Sequence, residues 1–313
     1  MEHYLETTET ITQDKPAVKR SGRHVGLFLI IYQLFVMIAG VFFTEVSRLV
    51  REELGLPAME TFDILIGTAI AQLLGLILFG LFWLFHKGPI KQTKPAIEPL
   101  PVGYLKRSFL WLVGINMLLV LFNHLVYRLS GRTLGLSIDW SDTPGPLFLF
   151  LMLAVFPAIV EEIMYRRILF RYLKRHGFWF GAISSSILFG LIHQNILQFL
   201  FATAMGVILC LVYERSGRLI YPILLHLLNN AITVLQVSLP ISAEIVQWFN
   251  LSLGVLSLVL IGRFISIHRQ RLQNGWQAMK AKLGPMRYFF TSVPMLLLTL
   301  ALLWISIMVI FID

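Results

Sequence analysis

Residues 145–167 read GPLFLFLMLAVFPAIVEEIMYRR. The first sixteen carry no charge. Then come Glu161 and Glu162, and after three more residues Arg166 and Arg167. An apolar run of this length predicts a helix that crosses a bilayer. A passive anchor would not close on two adjacent carboxylates, because ionisable groups in lipid are expensive and usually mark function.

The pattern recurs along the chain. Apolar segments lie at about 25–47, 62–85, 108–128, 145–167, 178–196, 197–214, 218–238, 245–263 and 288–311. They predict an all-α fold: a polytopic transmembrane helical bundle of eight to nine helices. Composition agrees. Of 313 residues 57% are hydrophobic and 14% charged, with a mean hydropathy of +0.76, whereas soluble domains are about half apolar and about a quarter charged. The organisation expected is a cytoplasmic tail (1–24), N-terminal transmembrane helices (25–140), a core that carries the polar clusters (145–238) and C-terminal transmembrane helices with a basic cytoplasmic loop (239–313). The run from Val25 to Val50 is too long for a signal peptide and lacks a small-residue cleavage site, so it is expected to be retained. Cys210, the single cysteine, sits in an apolar run and reads as packing between helices.

A net charge of +9 would suit nucleic acid, but the charges sit in short clusters between apolar runs. There they set topology and attract anionic lipid headgroups. One side collects Lys15, Lys19, Arg20 and Arg23; Lys87, Lys91, Lys94, Lys106 and Arg107; Arg166, Arg167, Arg171, Lys174 and Arg175; Arg215 and Arg218; and Arg263, Arg269, Arg271, Lys280, Lys282 and Arg287. The other side holds only Arg48, Arg51, Arg128 and Arg132. This alternation predicts nine spans in a plasma membrane, with a cytoplasmic N-terminus and the C-terminus outside. The basic stretch 264–287 reads equally as an interfacial helix or a solvated loop.

Three polar clusters interrupt apolar segments. On a helix Glu162 and Arg166 share a face and can pair, while Glu161 points about 100° away. An unpaired carboxylate in an apolar site suits a general base; the same cluster also reads as an interfacial end to a span. Phe189 and His193 share a second helix face, where the histidine is either functional or a hydrogen-bonded structural residue. His226 and Asn230 share a third, where they either join helices or donate to a developing oxyanion. Together they supply a base, a polariser and oxyanion donors. Two histidines and a carboxylate are equally a zinc-ligand set.

The set Glu161-Glu162-x-x-x-Arg166, Phe189-x-x-x-His193 and His226-x-x-x-Asn230 resembles the CAAX-protease and bacteriocin-processing (Abi) family of intramembrane proteases. The resemblance covers about residues 145–235, including Gly206 to Gly217 and Leu219 to Ile223 on the approach to His226. It implies an endopeptidase in which Glu161 and His193 activate water and His226 and Asn230 stabilise the oxyanion, with Glu162, Arg166 and Phe189 supporting the site. Family members are described both as metalloproteases and as metal-free glutamate proteases; a metal, zinc being the candidate, would fall to Glu161, His193 and His226. The partners implied are membrane lipids and a peptide or membrane-associated protein substrate, with no nucleic acid. Two other classes compete: a non-catalytic immunity or scaffold protein, and a transporter, which would be expected to show internal repeats that are not visible here.

One expectation is awkward. With uniform spans, Glu161 and His226 lie about 10 Å from the inner face and His193 nearer about 20 Å. The three meet if the fifth helix starts in the cytosol and enters the lipid late, or if the fifth and sixth segments do not both cross. The first keeps the charge alternation.

Overall fold

Every apolar segment of the sequence folds as a helix. The computed structural model describes residues 15–86, 99–131, 142–238 and 242–312; residues 1–14 of the tail, Lys87, Lys91, Lys94 and Arg132 lie outside them. The helices are α1 (Lys15–Glu53), α2 (Glu60–His86), α3 (Val102–Ser130), α4 (Pro146–His176), α5 (Phe178–Leu191), α6 (Ile196–Ser216), α7 (Ile220–Ser238), α8 (Ala243–Ile267), α9 (Arg269–Lys282), the short α10 (Met286–Phe290) and α11 (Val293–Ile312). Among the described residues there is no strand. The fold is an all-α bundle of a multi-pass membrane protein: α1, α2, α3, α4, α6 and α8 are each long and apolar enough to cross a bilayer.

The bundle is apolar outside as well as inside. Leu27, Met37, Ile38, Val41, Phe85, Trp248 and Val259 are all exposed. Water would penalise such a surface, whereas lipid solvates it. Helices in lipid gain little from apolar burial, so close backbone approach at small residues carries the packing. A side chain on Gly26 would put its Cβ 2.4 Å from the backbone nitrogen of Met295, and one on Gly67 would meet the Thr44 nitrogen at 2.5 Å. These two glycines seat α1 against α11 and α2.

Two elements differ from the sequence reading. Helix α1 is already helical at Lys15, ten residues before the apolar run, and its Val18, Ser21, Gly22 and Val25 form one buried face that packs on α10 and α11. Helix α5 has 14 residues, about 21 Å, against a hydrocarbon core of about 30 Å. The basic stretch after α8 is helical, as α9.

Arg51, counted above among the few charges of the outer side, is buried. Its Nε donates to Asp63 Oδ1 at 2.9 Å, a second nitrogen pairs with Asp63 Oδ2, a third reaches the Pro57 carbonyl, and Ser47 Oγ donates to Asp63 Oδ1 at 2.6 Å. This ion pair ties the α1–α2 connection. The three polar clusters lie elsewhere, on α4, α5 and α7.

Candidate active site

Helix α4 owes its shape to Pro157. A proline has no N–H to offer the carbonyl four residues earlier, so the Leu153 carbonyl loses its ordinary partner. Asn230 of α7 replaces it, with Nδ2 donating to Leu153 O at 3.2 Å. Around the proline the helix is wound in part as π-helix, over Phe150–Val155 and again over Ile163–Phe170. Such turns often accompany functional sites because they redirect side chains.

The second π segment follows the glutamate pair. Glu162 is 0% exposed and Arg166 1%, and they meet at 3.0 Å through Oε2 and Nε. The contact is close, but it is not aligned as a hydrogen bond, and Nη1 and Nη2 of Arg166 have no hydrogen-bond partner among the described residues. The guanidinium instead lies 4.4 Å from the centre of the Phe189 ring, a desolvated cation–π contact of about 2 kcal/mol. Glu162 Oε1 takes the other partner, His226 Nδ1, at 2.9 Å. Arg166, Glu162 and His226 thus form a buried chain from α4 to α7, with Phe189 of α5 against the guanidinium.

Glu161 stands apart from that chain. It pairs with no arginine; its Oε2 is 3.8 Å from His226 Nε2, and its side chain is 13% exposed. It is the carboxylate of the pair that is open to a reactant.

His193 follows the C-terminus of α5. Its Nδ1 is 2.8 Å from the Phe189 carbonyl. A carbonyl only accepts, so Nδ1 carries the proton and Nε2 keeps its lone pair. His226 likewise donates its Nδ1–H, here to Glu162, and turns its Nε2 to Glu161. The Phe189 ring lies 5.0 Å from the His193 ring and 6.1 Å from that of His226, so one phenylalanine spaces both imidazoles.

The turn that delivers His193 is strained. Gln194 has φ of 53°, a left-handed conformation that costs a non-glycine residue about 1–2 kcal/mol. Asn195 then caps α6 by accepting from the Gln198 nitrogen at 3.0 Å. Gln194→Val, β-branched and worse at positive φ, is expected to lower the thermal stability of the detergent-solubilised protein by about 1–2 kcal/mol; Gln194→Gly is expected to match or exceed wild type. Equal melting of all three variants would show that the turn carries no strain.

All seven sequence-predicted residues therefore lie together: Glu161, Glu162 and Arg166 from α4, Phe189 and His193 from α5, His226 and Asn230 from α7. The short α5 is what brings His193 level with Glu161. A full-length fifth span would have carried it past. Cys210 is buried with Phe170, Ala182 and Tyr213, 3.8 Å from Ser185 Oγ.

Sequence reasoning missed one wall of the site. Tyr32 of α1 packs on Phe79 of α2 at 5.0 Å, Phe79 on Tyr165 at 5.8 Å, and Tyr165 on Phe189 at 5.0 Å. The Tyr165 hydroxyl is buried without a hydrogen-bond partner, and Glu161 interacts electrostatically with both tyrosines. A tyrosine in an apolar helix is unremarkable as a string of letters, so Tyr32 gave no signal.

The donor set does not fit a resident metal as arranged. Among the described residues no three His, Cys, Asp or Glu side chains converge to hold an ion. No step below is routed through a metal.

Comparison with known proteins agrees with this geometry. Residues 143–232 match the family described as "Type II CAAX prenyl endopeptidase Rce1-like". The chain is 36% identical over 92 residues to the "Putative membrane peptidase YdiL" of Bacillus subtilis. The match takes in 29% of this chain and 37% of that relative, so the chain spans little more than a third of the length of the curated protein it matches. No solved structure matches. The matched segment runs from just before α4 into α7 and holds every residue of the motif set.

Proposed function

We propose that this protein is an intramembrane endopeptidase of the CAAX type, which hydrolyses a peptide bond of a peptide or membrane-associated protein near the cytoplasmic face. The observation that carries the reading is the lone carboxylate. Among the described residues Glu161 meets no arginine or lysine, and it lies beside two imidazoles whose Nδ1 protons are held by Phe189 O and Glu162.

The roles follow from those positions. Water held by Glu161 and His193 Nε2 loses a proton to them as its oxygen attacks the scissile carbonyl carbon. The carbonyl oxygen gains the negative charge, which His226 and the second N–H of the Asn230 amide are placed to stabilise. Collapse of the tetrahedral intermediate expels the amine, which takes the proton back from Glu161 or His193. Glu162 accepts the Nδ1 proton of His226 and so fixes the orientation of the ring, and Arg166 balances the Glu162 charge. Residues 25–140 and 239–313 flank the core, with α1 and α2 closing it through Tyr32 and Phe79. The basic end of the bundle faces the cytosol, in a plasma membrane.

The test compares membrane and secreted peptides of host cells carrying wild type or Glu161→Ala, by mass spectrometry at matched protein levels. A fragment that disappears in the variant names the substrate and supports proteolysis. Identical peptide sets under every growth condition would instead favour a non-catalytic immunity or scaffold protein.

A further inference from the structure

Among the described residues the basic end of the bundle is almost free of acid. Contacts fix which helix ends lie there: Ser21 Oγ is 2.8 Å from His176 Nε2, the His24 ring 5.0 Å from that of His86, and the Phe180 ring 5.5 Å from that of Phe289. Among the described residues the carboxylate at this end, outside the candidate active site, is Glu214, and Lys174 pairs with it.

Within this end two cations converge on one ring. Lys15 Nζ lies 5.6 Å and the Arg287 guanidinium 4.7 Å from the centre of Tyr288. Neither has a carboxylate partner among the described residues. Arg287 Nη2 donates to the Tyr288 hydroxyl at 2.6 Å, which leaves the hydroxyl proton free to donate onward. The three side chains, with Gly284 and Pro285, line a cleft of about 450 Å³. Like charges sharing one ring repel unless an anion lies between them, and an oxyanion offers each donor a charge-assisted bond. Helix α11 begins five residues after Tyr288, and its Val293, Leu297 and Leu300 are exposed apolar residues. A phosphate in the cleft can therefore trail acyl chains along α11.

We propose that this cleft binds the phosphate of an anionic phospholipid headgroup, held by Lys15, Arg287 and the Tyr288 hydroxyl. The site is separate from the candidate active site and does not depend on proteolysis.

The test is native mass spectrometry of the full chain released from nanodiscs of phosphatidylglycerol or of phosphatidylcholine. Lys15→Gln with Arg287→Gln is compared with a control that removes the same charge from the same end, Arg263→Gln with Arg269→Gln. Wild type and control are expected to retain one phosphatidylglycerol that the first variant loses at least about fivefold, and none is expected to retain phosphatidylcholine. Tyr288→Phe, which keeps both cations, is expected to weaken retention about threefold and serves should the double variant not accumulate. Equal loss in variant and control would reduce the effect to general charge attraction and overturn the site. Displacement of the lipid by inorganic phosphate at cytosolic concentration would overturn the lipid and leave a free-phosphate site.

Discussion

Glu161→Gln abolishes cleavage while the protein reaches the membrane at the wild-type level. The expected fall in single-turnover rate of the purified protein, on the peptide identified by the cellular comparison, is about 10³-fold or more, because a general base contributes about 10²–10⁴. The substitution removes one proton acceptor and adds no volume. It leaves the Arg166–Glu162–His226 chain intact, so thermal stability is expected to stay within about 0.5 kcal/mol of wild type. Stability unchanged with activity lost is the signature of a residue exposed to the reactant. Retention of a tenth or more of the wild-type rate would move the base to His193 and sink the mechanism as written. Glu162→Gln, one residue away, is expected to behave in the opposite sense: it strands the buried Arg166 charge and lowers stability first.

That contrast between neighbours was legible in the sequence. Residues four apart on a helix share a face, which assigns Glu162 to Arg166 and leaves Glu161 free; the structure has the pair at 3.0 Å. The helical segments were legible too, since each enters lipid as a single apolar run. What the letters did not carry were features of hydrogen bonding rather than composition. The π turns of α4 change which carbonyl each N–H meets without altering hydropathy. His193, Gln194 and Asn195 do interrupt the apolar run, but hydropathy does not say that the 14 residues before them form a helix shorter than a full span. Uniform spans therefore placed His193 too deep, and of the two resolutions offered, it is the incomplete fifth helix that matches the observed length. Tyr32 was out of reach for another reason. It lies over a hundred residues from the motifs, and only the packing of α1 on α2, and of α2 on α4, carries it there.

Arg166→Ala gives the largest expected loss of stability. Glu162 is 0% exposed, and its charge is balanced by one guanidinium. Removing that guanidinium leaves an uncompensated buried carboxylate, which typically costs about 3–5 kcal/mol, a large part of the stability of a membrane bundle of this size. It also empties the space above Phe189, which spaces His193 and His226. The variant is expected either to fail to accumulate or to melt well below wild type in detergent. Removing both charges separates the electrostatic part from the packing part: Arg166→Met with Glu162→Met replaces the buried pair by apolar groups of similar length, a change that is often neutral or stabilising. A double-mutant cycle read by thermal unfolding is expected to recover most of the loss. Cleavage is not expected to return, because a thioether in place of the Glu162 carboxylate cannot hold the Nδ1 proton that orients His226. Recovery of both would mean that the chain stabilises the fold alone and that His226 is positioned by other contacts; recovery of neither would mean that packing around Phe189, rather than charge, holds the three helices in register.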